Sequence, residues 1–131
     1  MPRTNAGIRK SKFIDESTVK AFLLKLEQKI AVAAVIVFGS RARGDALFSS
    51  DYDIAVISQD FQDMPKFKRI YFLLDNWGAP EPLEPVAFTP DEFNKAQGLL
   101  IWDILEDGIA FKDTGIFKQR LKKHGQQKKR R

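Results

Sequence analysis

Eight apolar residues in an unbroken row, Ala31 to Phe38, stop abruptly at Gly39-Ser40. A valine-rich run of this length, without alternation, predicts a strand buried on both faces. That strand is the central one, and the rest of the chain has to be arranged around it.

Before it, Val19, Phe22, Leu23, Leu26 and Ile30 recur at intervals of three and four, predicting a helix capped by Ser17 and ending near Lys29. After it, residues 39–50 are small, polar and charged, and read as a loop with room for one helical turn. A second strand is expected from Asp53 to Ile57. A helix starting at Pro65 would carry Phe67, Ile70, Tyr71, Leu74 and Trp77 on one side, until Gly78-Ala79-Pro80-Glu81-Pro82 stops it. Leu83 to Phe88 is the third strand candidate, with Pro85 removing a ladder donor and so marking an edge or a bulge. Thr89-Pro90-Asp91-Glu92 has the cap, proline and acids of a helix start. The pattern continues through Phe93, Ala96, Leu100 and Ile104 to Gly108, with Gly98 inside it. Ile109 to Lys112 is extended, and Ile116, Phe117 and Leu121 suggest a last helical stretch. Strands interleaved with helices predict an α/β fold of the α+β kind, a small mixed sheet with helices packed on one side.

At 131 residues the chain is about one domain, here expected over 17–121, between a basic N-terminal extension, 1–16, and a basic tail, 122–131. Residues 118–131 hold eight of the 22 bases and no acid. Residues 1–12 add Arg3, Arg9, Lys10 and Lys12, leaving ten bases against all 17 acids in the body. An acidic body with basic ends is not the pattern of a dedicated nucleic-acid module, so RNA contact through the ends ranks as a minor role. The absence of cysteine excludes disulfides, thiol nucleophiles and cysteine-ligated zinc. The single histidine, His124, lies in the basic tail and argues against Ser-His-Asp catalysis or a multi-histidine metal site. The opening residues lack the apolar core of a secretory leader and no long apolar run follows, so a soluble, cytoplasmic protein without a membrane segment is expected.

The chemistry concentrates in Gly39-Ser40-Arg41-Ala42-Arg43-Gly44 and, shortly after, Ser50-Asp51-Tyr52-Asp53. Residues two apart in a strand share a face, so Asp51 and Asp53 set two carboxylates side by side, an arrangement that repels unless a cation sits between them. Oxygen ligands of this kind suit Mg2+ or Mn2+, whose remaining positions are filled by water and phosphates, which points to a nucleoside triphosphate. Gly39 permits close approach of backbone to phosphate, Ser40 offers a hydroxyl and an amide, and a helical turn there would aim further N–H groups at an anion. Arg41 and Arg43 are candidate phosphate clamps. Tyr52, between the aspartates, faces the other way and packs. Trp77, Trp102 and the phenylalanines are read as core.

These residues resemble the signature of minimal nucleotidyltransferase domains in the DNA polymerase β-like superfamily, Gly-Ser-x-Ala-Arg-Gly followed by Ser-Asp-x-Asp. The likeness covers roughly residues 17–121, including the Glu106-Asp107-Gly108-Ile109 turn into a last strand. It implies the polymerase β-like nucleotidyltransferase fold and metal-dependent transfer of a nucleoside monophosphate, with ATP the expected donor, to an acceptor hydroxyl. It also implies that Ser40 and the neighbouring backbone hold the triphosphate, that Asp51 and Asp53 bind two metals, and that a third carboxylate on a following strand completes the site. Here that position is offered by Glu84, where the family more often has aspartate. Stand-alone domains of this family are often paired with a small helical HEPN-type protein in toxin–antitoxin systems, which makes such a partner, or a further copy in a homo-oligomer, an expected associate. The competing reading is a partner-binding module of the same fold with little or no activity, suggested by Glu84 and Pro85.

Overall fold

The structure is a computed structural model and describes residues 13–47 and 50–129. Most of the N-terminal extension, with its four bases, lies outside the described residues, as do Arg130 and Arg131. Helix α1 (Glu16–Glu27) leads into β1 (Val32–Phe38), a five-residue helix α2 (Gly39–Arg43) and β2 (Tyr52–Ser58). A 3-10 turn over Gln59–Asp63 precedes α3 (Lys66–Asp75) and β3 (Leu83–Phe88). Then come α4 (Pro90–Lys95), α5 (Leu99–Asp107), β4 (Ile109–Asp113) and α6 (Ile116–Lys129). The four strands form one mixed sheet in the order β3-β2-β1-β4; β1 runs antiparallel to β2 and β4, and β2 and β3 are parallel. Pro85 is accordingly on an edge strand.

The unbroken apolar run is explained by helices on both faces of β1, not on one side as the sequence suggests. Val35 and Val37, with Tyr52, Ile54 and Val56 of β2, pack against Val19, Phe22 and Leu26 of α1 and Leu73 of α3. On the other face Ala34, Ile36 and Phe38, with Ala55 and Ile57, meet Phe93, Ile101, Ile104, Leu105 and Phe117 from α4, α5 and α6. Residues alternating along one strand thus fill two separate cores.

Four local expectations are corrected. The cap of α1 is Asp15, whose carboxylate accepts from the amides of Ser17 and Thr18 and from the Ser17 hydroxyl, and these bonds hold it below the usual carboxylate range. The helix expected from Pro90 to Gly108 is broken in two, because Gly98 adopts φ +106°, a region side-chain-bearing residues rarely occupy. Arg120 of α6 stabilises the break by donating to the carbonyls of Phe93, Asn94 and Ala96 that the end of α4 leaves unsatisfied. Residues 122–129 continue α6, and His124 is buried there against Trp102 and hydrogen-bonded to Glu106. Finally, α3 is turned over relative to its apolar pattern. Its buried residues are Arg69 and Leu73, whereas Phe67, Tyr71 and Leu74 face solvent. Arg69 is accommodated by a two-pronged contact with Glu92, which also completes the capping box of α4 with Thr89.

Candidate active site

Strand β1 ends at Phe38, directly opposite Asp53 of β2, and Asp53 is in turn the register partner of Glu84 in β3. Three neighbouring strands therefore deliver a tight turn and two carboxylates to one end of the sheet. Gly39 makes the turn with φ +75°, and any Cβ there would collide with the Asp53 Oδ2. A glycine is required both for the backbone conformation and for the room the carboxylate occupies. From Gly39 the chain winds into α2, which Gly44 closes in a left-handed conformation with its amide bonded to the Ser40 carbonyl.

The Asp53 carboxyl is pushed up to about 7, chiefly by burial, then by a hydrogen bond to the Glu84 side chain and the charges of Glu84 and Asp51, with Arg43 pulling the other way. Two carboxyl groups in direct contact repel one another when both are ionised, and a cation between them would balance that charge. Of the three acids named from the sequence, Glu84 and Asp51 thus both act on Asp53. Among the described residues no three His, Asp or Glu side chains close into a ready-made metal cage. Mg2+ does not need one, since it binds through one or two carboxylates and completes its shell with water and phosphate oxygens. The oxygen-only donor set and the crowded negative charge around Asp53 fit such an ion.

The two arginines separate. Arg41 is buried, with its guanidinium donating to the carbonyls of Ser50 and Phe13 and lying 4.0 Å from the centre of the Tyr52 ring. It ties α2 to the segment before β2 and so fixes where Asp51 and Asp53 begin. Arg43 is half-exposed and paired with Asp45 and Asp107, contacts that raise its pKa and hold it beside the acids. Ser40 is partly exposed at the start of α2. Tyr52 packs away from the site against Trp77, with its hydroxyl accepting from the Asp15 amide. Asp107 was not legible as part of this neighbourhood, because its partner Arg43 is 64 residues away and no local pattern links them.

A small mixed sheet with a Gly-Ser turn facing paired carboxylates on adjacent strands defines a nucleotide-transferring class of domain. The chain belongs to the Polymerase beta, Nucleotidyltransferase family, whose model matches residues 22–114. Within that family its element order fits a minimal nucleotidyltransferase domain. No curated protein matches. Among solved structures, the chain is similar to a protein from Sulfolobus solfataricus described as a nucleotidyltransferase (23% identity, TM-score 0.51, 78% of this chain and 88% of that one). It is also similar to a chain of a toxin-antitoxin structure with AMP-PNP (18%, 0.54, 87% and 89%) and to one of a mutant of the toxin-antitoxin MntA-HpeT (18%, 0.55, 87% and 88%). At these identities the likeness carries the fold.

Proposed function

We propose that the domain transfers a nucleoside monophosphate from a nucleoside triphosphate to a hydroxyl group of a partner protein, the hydroxyl oxygen bonding to the α-phosphorus as the α–β bond breaks and pyrophosphate leaves, with Asp51, Asp53 and Glu84 as its working carboxylates. The observation that carries this is the Asp53–Glu84 contact opposite Gly39, a crowding of negative charge that destabilises the fold unless a cation or proton is held there. Mg2+ or Mn2+ bound by these acids would neutralise the triphosphate and favour ionisation of the attacking hydroxyl. The chain's own residues do the positioning. Gly39 keeps the turn low enough for phosphate oxygens to approach, Ser40 offers its hydroxyl and amide, and Arg43 sets a guanidinium at the rim. Glu84, the register partner of Asp53 on the neighbouring strand, is the third carboxylate and would take or position the hydroxyl proton. Arg41 serves as a structural strut.

ATP is the proposed donor, supported by the relative solved with AMP-PNP. A small helical HEPN-type protein is the proposed partner, supported by the toxin-antitoxin neighbours; a cytoplasmic location is proposed with it. Among the described residues no helix is long and apolar enough to cross a membrane. The test is transfer of label from α-phosphate-labelled nucleoside triphosphates, one base at a time with Mg2+ or Mn2+, into protein and RNA of the native host. Label on a discrete protein band with wild type and not with Asp53→Asn supports the proposal. Absence of label with every base and metal, from a protein that still binds its partner, favours the binding module instead.

A further inference from the structure

Helix α3 buries Leu73 and packs Phe72 against the core, yet leaves three apolar residues on its outer side. Phe67, Tyr71 and Leu74 are 60%, 63% and 40% exposed, while the side turned to the core holds Arg69 beside Leu73. Positions 67, 71 and 74 follow the four-then-three spacing of a coiled-coil seam, so the three side chains form one stripe along the helix. The first two rings are already packed edge to face, 6.3 Å apart, which fixes part of the stripe before anything binds. An exposed stripe of this kind marks an interaction surface.

The flank of the stripe says what fits it. Lys68 and Asp75 are both exposed and seven residues apart, two turns along the same side of the helix, next to Tyr71. Neither makes an ion pair with a described residue. Their charges are opposite, and the midpoint between them and the midpoint of the stripe fall just after and just before Tyr71, so that Tyr71 is the common centre.

We infer that α3 is a two-fold interface between copies of this chain, the two helices packing antiparallel with Tyr71 at the axis. In that pairing Phe67 meets Leu74 of the other copy, and Lys68 meets Asp75 of the other copy, each contact made twice by symmetry. A parallel pairing would bring like charges to the same level, so the flank selects the antiparallel one. The patch covers on the order of a few hundred Å² on each copy, below a standard permanent interface, so the dimer is concentration-dependent. The inference is independent of the transferase reading: α3 covers the sheet face opposite the carboxylates.

The test is sedimentation of the purified full chain across the micromolar range, with far-ultraviolet circular dichroism to follow folding. Wild type is expected to shift from monomer to dimer as concentration rises, and Tyr71→Glu to stay monomeric. Lys68→Asp and Asp75→Lys should each weaken dimerisation by about tenfold, and the double swap should restore it. The charge swaps decide the matter even if Tyr71→Glu misfolds. A wild type that stays monomeric, a dimer that survives Tyr71→Glu in a folded chain, or a double swap no better than the singles would overturn the inference.

Discussion

Asp53→Asn is expected to abolish transfer and at the same time make the metal-free protein more stable at alkaline pH. In the folded chain the Asp53 carboxyl is raised from 3.8 to about 7, so the folded state holds a proton that the unfolded chain has released. The sign follows: stability is lost as pH rises from near the unfolded value through the folded one, and the loss is complete above it. Taken at face value the displacement corresponds to about 4 kcal/mol. Asp53 is only half-buried, and solvent screening reduces this to about 1–2 kcal/mol. For a domain of this size that is about 3–8 °C in Tm. Thermal unfolding of both proteins in chelator-treated buffer, from acid to alkaline pH, provides the assay. The Asp53→Asn protein should melt higher than wild type at alkaline pH, with the gap closing near pH 4. A variant equal to or weaker than wild type at alkaline pH, or a gap that does not depend on pH, would refute the argument that burial and crowded charge set this group.

Other substitutions separate the site's parts. Gly39→Ala should cost about 2–4 kcal/mol in urea denaturation, since it imposes both a strained φ and a collision with Asp53. Arg41→Leu should cost about 2–3 kcal/mol by leaving the Ser50 and Phe13 carbonyls without their donor, with KM for the triphosphate unchanged in the protein that remains folded. Arg43→Ala should cost less than about 1 kcal/mol in the same denaturation, because its ion pairs are largely solvated, yet raise that KM about tenfold. Saturating Mg2+ and nucleotide should stabilise wild type by about 3 kcal/mol at a hundredfold excess over Kd, read as a thermal shift, and leave Asp53→Asn unmoved.

The parts of the fold legible in the sequence were those where a local pattern had a single physical cause. The apolar run could only be a covered strand, and β1 begins within one residue of it; the limits of β3 coincide with the stretch read from Leu83 to Phe88. The pairing of Asp53 with Glu84 needed the strand order; Asp53 stood out by its spacing from Asp51, and Glu84 only through the resemblance, which implies a third carboxylate on a following strand. What local pattern could not show was decided by tertiary contacts. α3 has the periodicity of a core helix, and the burial of Leu73 together with the Arg69–Glu92 contact across to α4 shows which side is inside. Arg41 and Arg43 share one loop and one charge, yet one enters the core and the other remains at the rim, a difference set by carbonyls and acids distant in sequence. Gly98 looked tolerable within a helix until Arg120, supplied by α6, gave the broken end its hydrogen bonds. His124, in what reads as a solvated tail, is held by Trp102 and Glu106 of α5.

The central claim is that the three carboxylates at the end of the sheet form one metal–nucleotide site. Electron paramagnetic resonance of Mn2+ tests this directly, because the signal of the free ion falls as it binds. With a non-hydrolysable triphosphate present, wild type should deplete the free signal beyond what the nucleotide alone does, Glu84→Gln should do so less, and Asp53→Asn should not do so at all. An Asp53→Asn protein that is folded and depletes free Mn2+ as wild type does would contradict the claim, because the ion would then be held somewhere other than between Asp51, Asp53 and Glu84.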